Sequence, residues 1–302
     1  MDSDGNGLGR VGLGGPDADR TWAGTDPMGE GLEPGGLDQE GFAAWSLTPH
    51  HRFSSTAPQA MAAIETAPLR VPVLGIGVDV SADVLAEAIA LHARGGGQIV
   101  TLNAEMTMAA RQQPELGAVI AAADLVIPDG AGVVWALGRQ GFRVRRAPGI
   151  ELARQLLEHA ASHDWRVALV GASPGVMDTL VRRLGRELPG LNLVWSSHGF
   201  RNAAEWPDLE RQLLDAHPDL VLVALGVPRQ ETWIRDLAPR RSGLWMGVGG
   251  SFDVWAGTKK RAPGWMRALQ IEWLYRLVQE PSRWRRMLAL PEFAMAVLRQ
   301  RG

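Results

Sequence analysis

Cysteine is absent from the 302 residues. Disulfides, thiolate nucleophiles, zinc fingers and iron–sulfur clusters are therefore excluded, and a cytosolic setting is favoured. Lysine occurs only at Lys259 and Lys260, so nearly all of the 31 basic residues are arginine. Tyr275 is the sole tyrosine and residue 279 is Gln, so the Tyr-x-x-x-Lys pair of a nucleotide-sugar epimerase or dehydrogenase is missing. Net charge is −2, too small for a global field that gathers nucleic acid or anionic lipid. No run approaches the roughly 18 apolar residues of a membrane span. The start, Met1-Asp2-Ser3-Asp4-Gly5, lacks the basic and apolar regions of a signal peptide. There is no Gly-x-Gly-x-x-Gly at the first helix, no Walker lysine motif and, beyond residues 1–65, no Asp-x-Asp of the kind that holds a metal–diphosphate. His159 and His163 are four apart but lie opposite the apolar stripe of their helix, so they read as solvated rather than as ligands. No metal and no cofactor is expected.

Three regions differ in character. Residues 1–65 are rich in Gly, Asp and Pro without an apolar period, as in Gly12-Leu13-Gly14-Gly15-Pro16. Such a segment buries too little surface to offset chain entropy, so it reads as a disordered tail. Residues 66–258 alternate. Short apolar runs at Ile99–Leu102, Leu125–Ile127, Val167–Val170, Leu191–Trp195, Leu220–Ala224 and Leu244–Val248 read as strands. Helical patterns at 82–94, 114–122, 132–140, 149–163, 175–188 and 205–217 separate them. That alternation predicts an α/β fold, a mostly parallel Rossmann-like sheet covered by helices. Residues 259–302 form a helical appendage with ten basic and three acidic residues, a charge of +7, interleaved with Trp265, Trp273, Tyr275 and Trp284. Pro281 and Pro291 divide it into about three short helices. A basic, tryptophan-rich amphipathic segment suits a membrane surface or a diphosphate headgroup; a helix packed on the core with solvated arginines has the same pattern.

Polar and glycine-bearing strand ends are where a parallel sheet places its ligands. Thr101 and Asn103 alternate with Leu102 at the first such end. Asp129 follows the strand ending at Ile127; an aspartate there is more often a helix cap than a catalyst. Gly171 opens Gly171-Ala172-Ser173-Pro174-Gly175. Gly226, Pro228, Gln230 and Glu231 follow the strand ending at Ala224, and Gly249, Gly250 and Asp253 follow the strand ending at Val248. Small residues there let backbone approach a ligand, and helix N-termini favour phosphate. Several such ends on one rim point to a nucleotide-type pocket.

At these residues the sequence resembles the WecG/TagA/CpsF glycosyltransferase family, glycosyltransferase family 26. The blocks are Thr101-Leu102-Asn103-Ala104-Glu105, Pro128-Asp129-Gly130, Gly226-Val227-Pro228-Arg229-Gln230-Glu231 and Gly247-Val248-Gly249-Gly250-Ser251-Phe252-Asp253. Arg261-Ala262-Pro263, Glu272-Trp273-Leu274-Tyr275-Arg276-Leu277 and Glu280-Pro281-Ser282-Arg283-Trp284-Arg285-Arg286 extend the match through the tail. The resemblance implies a bacterial enzyme of cell-surface polysaccharide biosynthesis. It would move an N-acetylmannosamine-type sugar from a UDP donor to a polyprenyl-diphosphate-linked acceptor, with inversion and without a metal, at the inner face of the cell membrane. It implies Asp129 as base, Thr101, Asn103 and Gln230 in the same pocket, and Arg276, Arg283 and Arg286 closing over the diphosphate. Where the family often has Glu-Arg-Val-x-Gly, this chain has Arg145-Arg146-Ala147-Pro148-Gly149, so Arg146 aligns and the glutamate does not. An anionic membrane surface is an expected partner, nucleic acid is not, and homo-oligomerisation is left open. The competing reading is a non-catalytic nucleotide-sugar-binding protein docked on a membrane, which would bind donor without turnover.

Overall fold

A computed structural model describes residues 68–269, 271–281 and 284–300. The Gly/Asp/Pro-rich segment 1–65 lies outside the described residues.

Six strands, β3 Gly96–Leu102, β4 Leu125–Pro128, β5 Arg166–Gly171, β6 Asn192–Ser197, β7 Leu220–Ala224 and β8 Gly243–Gly247, form one sheet in the order β4-β3-β8-β7-β5-β6. Every pairing in it is parallel. Helices cover both faces, which is why the central strands read as unbroken apolar runs. Leu220 and Leu222 of β7 face one layer, with Leu152, Leu156 and Leu180; Val221 and Val223 face the other, with Ile234 and Leu237.

The expected strands and helices are present, most within a residue or two of their sequence bounds. The sequence reading names no helix at Arg229–Leu237 or Ser251–Ala256, and it lacks an antiparallel hairpin, β1 Leu69–Val73 with β2 Ile76–Val80. The hairpin covers the outer edge of β4 through a polar stitch. Buried Asp79 accepts the Val126 N–H at 2.7 Å and is itself clasped by Arg70 at 2.7 and 2.8 Å. An edge amide that would otherwise need water or another chain is thereby satisfied.

The C-terminal segment departs from three short helices. It forms α10 Gly264–Ala268, α11 Glu272–Gln279, α12 Trp284–Met287 and α13 Ala289–Arg299. Pro291 does not divide it. The residue falls in the first turn of α13, where a backbone N–H has no acceptor within the helix and its loss costs little. Phe293 and Val297, four apart and buried, seat α13 on α2 Ala104–Gln112 and α4 Ala131–Arg139. Gly132 makes room, since a Cβ there would lie 3.3 Å from the Phe293 ring. Among the described residues no helix is long and apolar enough to cross a membrane.

Candidate active site

β3, β4, β7 and β8 end on one cavity of about 1060 Å³. In an all-parallel sheet the carboxyl ends share an edge, and a crevice opens where neighbouring strands send the chain in opposite directions. Here β3 leads outward to β4 on one side, while β8 is reached from β7 on the other.

The β3/β4 wall presents side chains. Thr101 and Asn103 stand at the end of β3, and Asn103 caps α2 by accepting the Met106 N–H at 2.9 Å. Asp129 is held at the end of β4 because its N–H, like that of Gly130, bonds back to the Leu102 carbonyl. Gly130 permits this approach, since a Cβ there would stand 2.9 Å from the Asn103 Cβ. Asp129 does act as a cap, but of a different helix from the one that follows it. Its Oδ1 accepts the Gly149 N–H at 3.1 Å, at the start of α5 Gly149–Ser162, whose own N-cap is a proline with no side-chain oxygen. Gly149 sits so close that a Cβ would lie 2.7 Å from Thr101 Cγ2. Arg146 donates through Nε to the Asp129 carbonyl and through Nη2 to Glu272 at 3.0 Å, with the Asp129 carboxylate 3.9 Å away.

The β7/β8 wall presents backbone. The chain after β7 passes Gly226 and Pro228 into α8 Arg229–Leu237; the chain after β8 passes Gly249 and Gly250 into α9 Ser251–Ala256, whose first turn holds Asp253. Gln230 is 3% exposed, and its carboxamide is committed within the protein. Its oxygen accepts from the N–H of Gly226 at 3.1 Å and of Gly249 at 3.2 Å, tying the two loops together. Its nitrogen donates to Glu231 Oε1 at 2.7 Å. Gly247 is required beneath, because a Cβ there would stand 2.4 Å from that nitrogen. Glu231 is equally buried and its second oxygen has no partner, so burial pushes its carboxyl up to about 7, against the opposing pull of the Gln230 bond. Gln98 Nε2 holds the Glu231 carbonyl from below at 3.1 Å.

Gly171 does not border this cavity. It ends β5, one strand beyond β7, and its positive φ of 114° serves close packing: a Cβ would meet the Ala224 carbonyl oxygen at 2.4 Å. The other expected residues of the core line the cavity: Thr101, Asn103, Asp129, Arg146, Gly226, Pro228, Gln230, Glu231, Gly249, Gly250 and Asp253.

The third side is closed by the C-terminal segment. Lys259, Lys260 and Arg261 border the cavity, as do Glu272 and Arg286. Lys259 pairs with Glu280, and Arg261 with Glu151 of α5. Arg286 is 58% exposed and lies 3.6 Å from Glu105. Arg283 and the side chain of Arg276 lie outside the described residues. Among the described residues no three His, Asp or Glu side chains are grouped as a metal site requires; His159 and His163 instead stack on each other, 3.8 Å between ring centres.

The model of the "Glycosyl transferase WecG/TagA/CpsF family" matches residues 71–302. The chain belongs to that glycosyltransferase family. Two relatives are named N-acetylglucosaminyldiphosphoundecaprenol N-acetyl-beta-D-mannosaminyltransferase. One, from Bacillus spizizenii strain W23, is 37% identical over 217 residues, 70% of this chain and 83% of that protein. The other, from Bacillus subtilis strain 168, is 36% identical over 209 residues, 68% of this chain and 80% of that protein.

Described residues from every one of the family blocks therefore border one cavity, although the blocks are spread from Thr101 to Arg286. Arg146 makes its contacts although Arg145 stands in the glutamate position. The sequence reading did not single out Glu272, Glu105 or the Lys259–Arg261 run as site residues. Glu272 carried a signal: it is one of only three acids in a strongly basic segment, and the structure buries it against Arg146.

Proposed function

We propose that the protein is an inverting, metal-independent glycosyltransferase that moves an N-acetylmannosamine-type sugar from a UDP donor to a polyprenyl-diphosphate-linked sugar. The observation that carries this reading is the placement of Asp129, a carboxylate at a strand end bordering the cavity, oriented by the Gly149 N–H and backed by Arg146. Asp129 takes the proton of the acceptor hydroxyl as its oxygen bonds to the anomeric carbon, and the bond to UDP breaks on the opposite face. Negative charge then gathers on the leaving diphosphate. Arg286, Lys259 and Lys260 supply the compensating charge in this reading, with Arg276 and Arg283 joining from the same segment. Thr101 and Asn103 position the sugars beside the base. Residues 66–258 are the transferase core and 259–302 its closing appendage. The names of the two relatives support the acceptor class. A lipid-linked acceptor places the enzyme peripherally at a membrane, on the inner face where nucleotide sugars are made.

The test is transfer by purified protein from UDP-N-acetylmannosamine to a GlcNAc-diphosphate lipid. Asp129→Asn is expected to lower turnover by about 10²-fold or more, the scale of general-base catalysis, with donor affinity unchanged and the product of inverted configuration. Chelator is expected to leave the wild-type rate intact. A near-normal rate in Asp129→Asn, or a rate abolished by EDTA and restored by magnesium, overturns the corresponding part of the reading.

A further inference from the structure

The cavity does not end at the residues described so far. Past Met108 and Leu288 it meets a second groove of about 850 Å³, and Met108, Leu288 and Glu292 line both. The groove runs between the β1–β2 turn, α2 and α13, and it differs in chemistry from the first cavity. Leu74, Met108, Leu288, Pro291, Met295 and Ala296 supply apolar surface, with Arg111 and Arg299 on its rim.

Two features argue that this apolar surface is there for an occupant. Leu288, the N-cap of α13, and Met295 within the helix are seven apart and about half exposed, at 50% and 49%. Phe293 and Val297 already supply the face that seats α13 on the core, so this second stripe is not needed to hold the helix. Leu74 sits at the tip of the hairpin with φ +52°, the left-handed region, which glycine or asparagine adopts more readily than leucine. Leucine at that tip packs one side of its branched apolar side chain on the core beneath and borders the groove with the other.

We propose that this groove holds the first isoprene units of the polyprenyl chain of the acceptor, a hydrocarbon subsite continuous with the transfer cavity. The inference rests on the proposed function. A sugar nucleotide has no hydrocarbon limb, whereas a lipid diphosphate seated with its sugar near Asp129 must lead a hydrocarbon chain away from the polar cavity. A wall that turns from polar to apolar across Met108 and Leu288 fits that change in the substrate. Arg111 and Arg299 at the rim suit the anionic surface from which such a lipid is drawn.

The experiment uses full-length protein without vesicles and compares two GlcNAc-diphosphate acceptors, one with a methyl group and one with a farnesyl chain. Wild type is expected to show a lower KM for the farnesyl acceptor. Leu74→Gly, which suits the backbone at that turn, and Met295→Gln are each expected to raise that KM by about tenfold, the scale of one lost apolar contact. Both are expected to leave kcat and KM for the methyl acceptor unchanged. A wild type that transfers equally well to both chains overturns the groove while the proposed function stands, and so does a chain-length preference that survives in both variants. Variants impaired equally on both acceptors likewise overturn it, since the loss is then not of hydrocarbon binding. A wild type that transfers to neither acceptor overturns the proposed function, and the groove with it.

Discussion

The two walls of the transfer cavity are built by opposite means. At the ends of β3 and β4, backbone is used up inside the protein and side chains are delivered: the amides of Asp129 and Gly130 bond back to Leu102, and Thr101, Asn103 and Asp129 border the cavity. At the ends of β7 and β8 the large polar side chains are used up inside and backbone is delivered: Gln230 and Glu231 are buried, and Gly226, Gly249 and Gly250 form the surface. A side-chain wall can move a proton and is sensitive to single functional groups. A backbone wall shapes space and is sensitive to whatever holds its loops.

Substitutions on the two walls should therefore fail differently. Asp129→Asn has the largest expected effect, a loss of about 10²-fold or more in kcat with the melting temperature and donor affinity little changed. Gln230→Ala should do the reverse. It removes the acceptor shared by the Gly226 and Gly249 amides and a donor to Glu231, for a stability cost of about 1–3 kcal/mol and a rise in donor KM that exceeds any fall in kcat. Kinetics and denaturant unfolding on the same two proteins decide it. If Gln230→Ala lowers kcat as far as Asp129→Asn does while remaining stable, the division between the walls is wrong and Gln230 touches the reacting atoms.

Arg146 joins the side-chain wall to the C-terminal segment through Glu272, so it offers a graded version of the same contrast. Arg146→Gln can still reach the Asp129 carbonyl but cannot match the charge of a carboxylate that is 7% exposed. Neutralising one partner of this half-buried pair is expected to cost about 1–3 kcal/mol; in the double variant Arg146→Gln/Glu272→Gln part of that loss should return. Turnover should not return with it if the guanidinium also orients Asp129. Recovery of stability without recovery of rate is the expected pattern, read from urea unfolding and single-turnover transfer.

The difference between the walls also explains what the sequence made legible. The strands were readable because a doubly covered parallel sheet needs unbroken apolar runs, and the strand ends were readable because polar residues and glycines interrupt those runs abruptly. Thr101, Asn103 and Asp129 thus stood out one by one. Their meeting was not readable from spacing, since it depends on the strand order that puts β3 and β8 side by side. Gly171 looked the same as Gly226 and Gly249 for that reason; only its position beyond β7 separates a packing glycine from a cavity glycine. Gln230 was placed at the pocket by its motif, but nothing in a motif tells a side chain that faces substrate from one that braces the loop behind it. The hairpin Leu69–Val80 escaped because its sequence, a short run interrupted by Leu74-Gly75, lacks a two-residue turn signal of the Asn-Gly kind.

At Glu231, beneath the backbone wall, the smallest effect on rate is expected, and what changes is stability and its pH dependence. Burial raises its carboxyl from the ordinary 4.5 to about 7, with the Gln230 hydrogen bond opposing. A carboxyl raised in the folded state is protonated there over a range in which the unfolded chain has already lost its proton. Below about pH 4.5 both states hold the proton; between about 4.5 and 7 only the folded state does, so stability falls as pH rises; above about 7 neither does and the dependence ends. The whole step amounts to ~3 kcal/mol. Glu231→Gln has the same shape and cannot ionise, so it should lack this component. The difference in unfolding free energy, variant minus wild type, should grow by that amount from pH 4.5 to pH 7 and stay level from pH 7 to pH 8.5. The carboxamide introduced by Glu231→Gln can still accept from Gln230, so the loop clamp should persist and the variant should keep wild-type KM values. A difference that is flat across the whole range would mean that Glu231 is ionised in the folded protein, with its charge met by a partner in the cavity wall, and would move it from brace to binding residue.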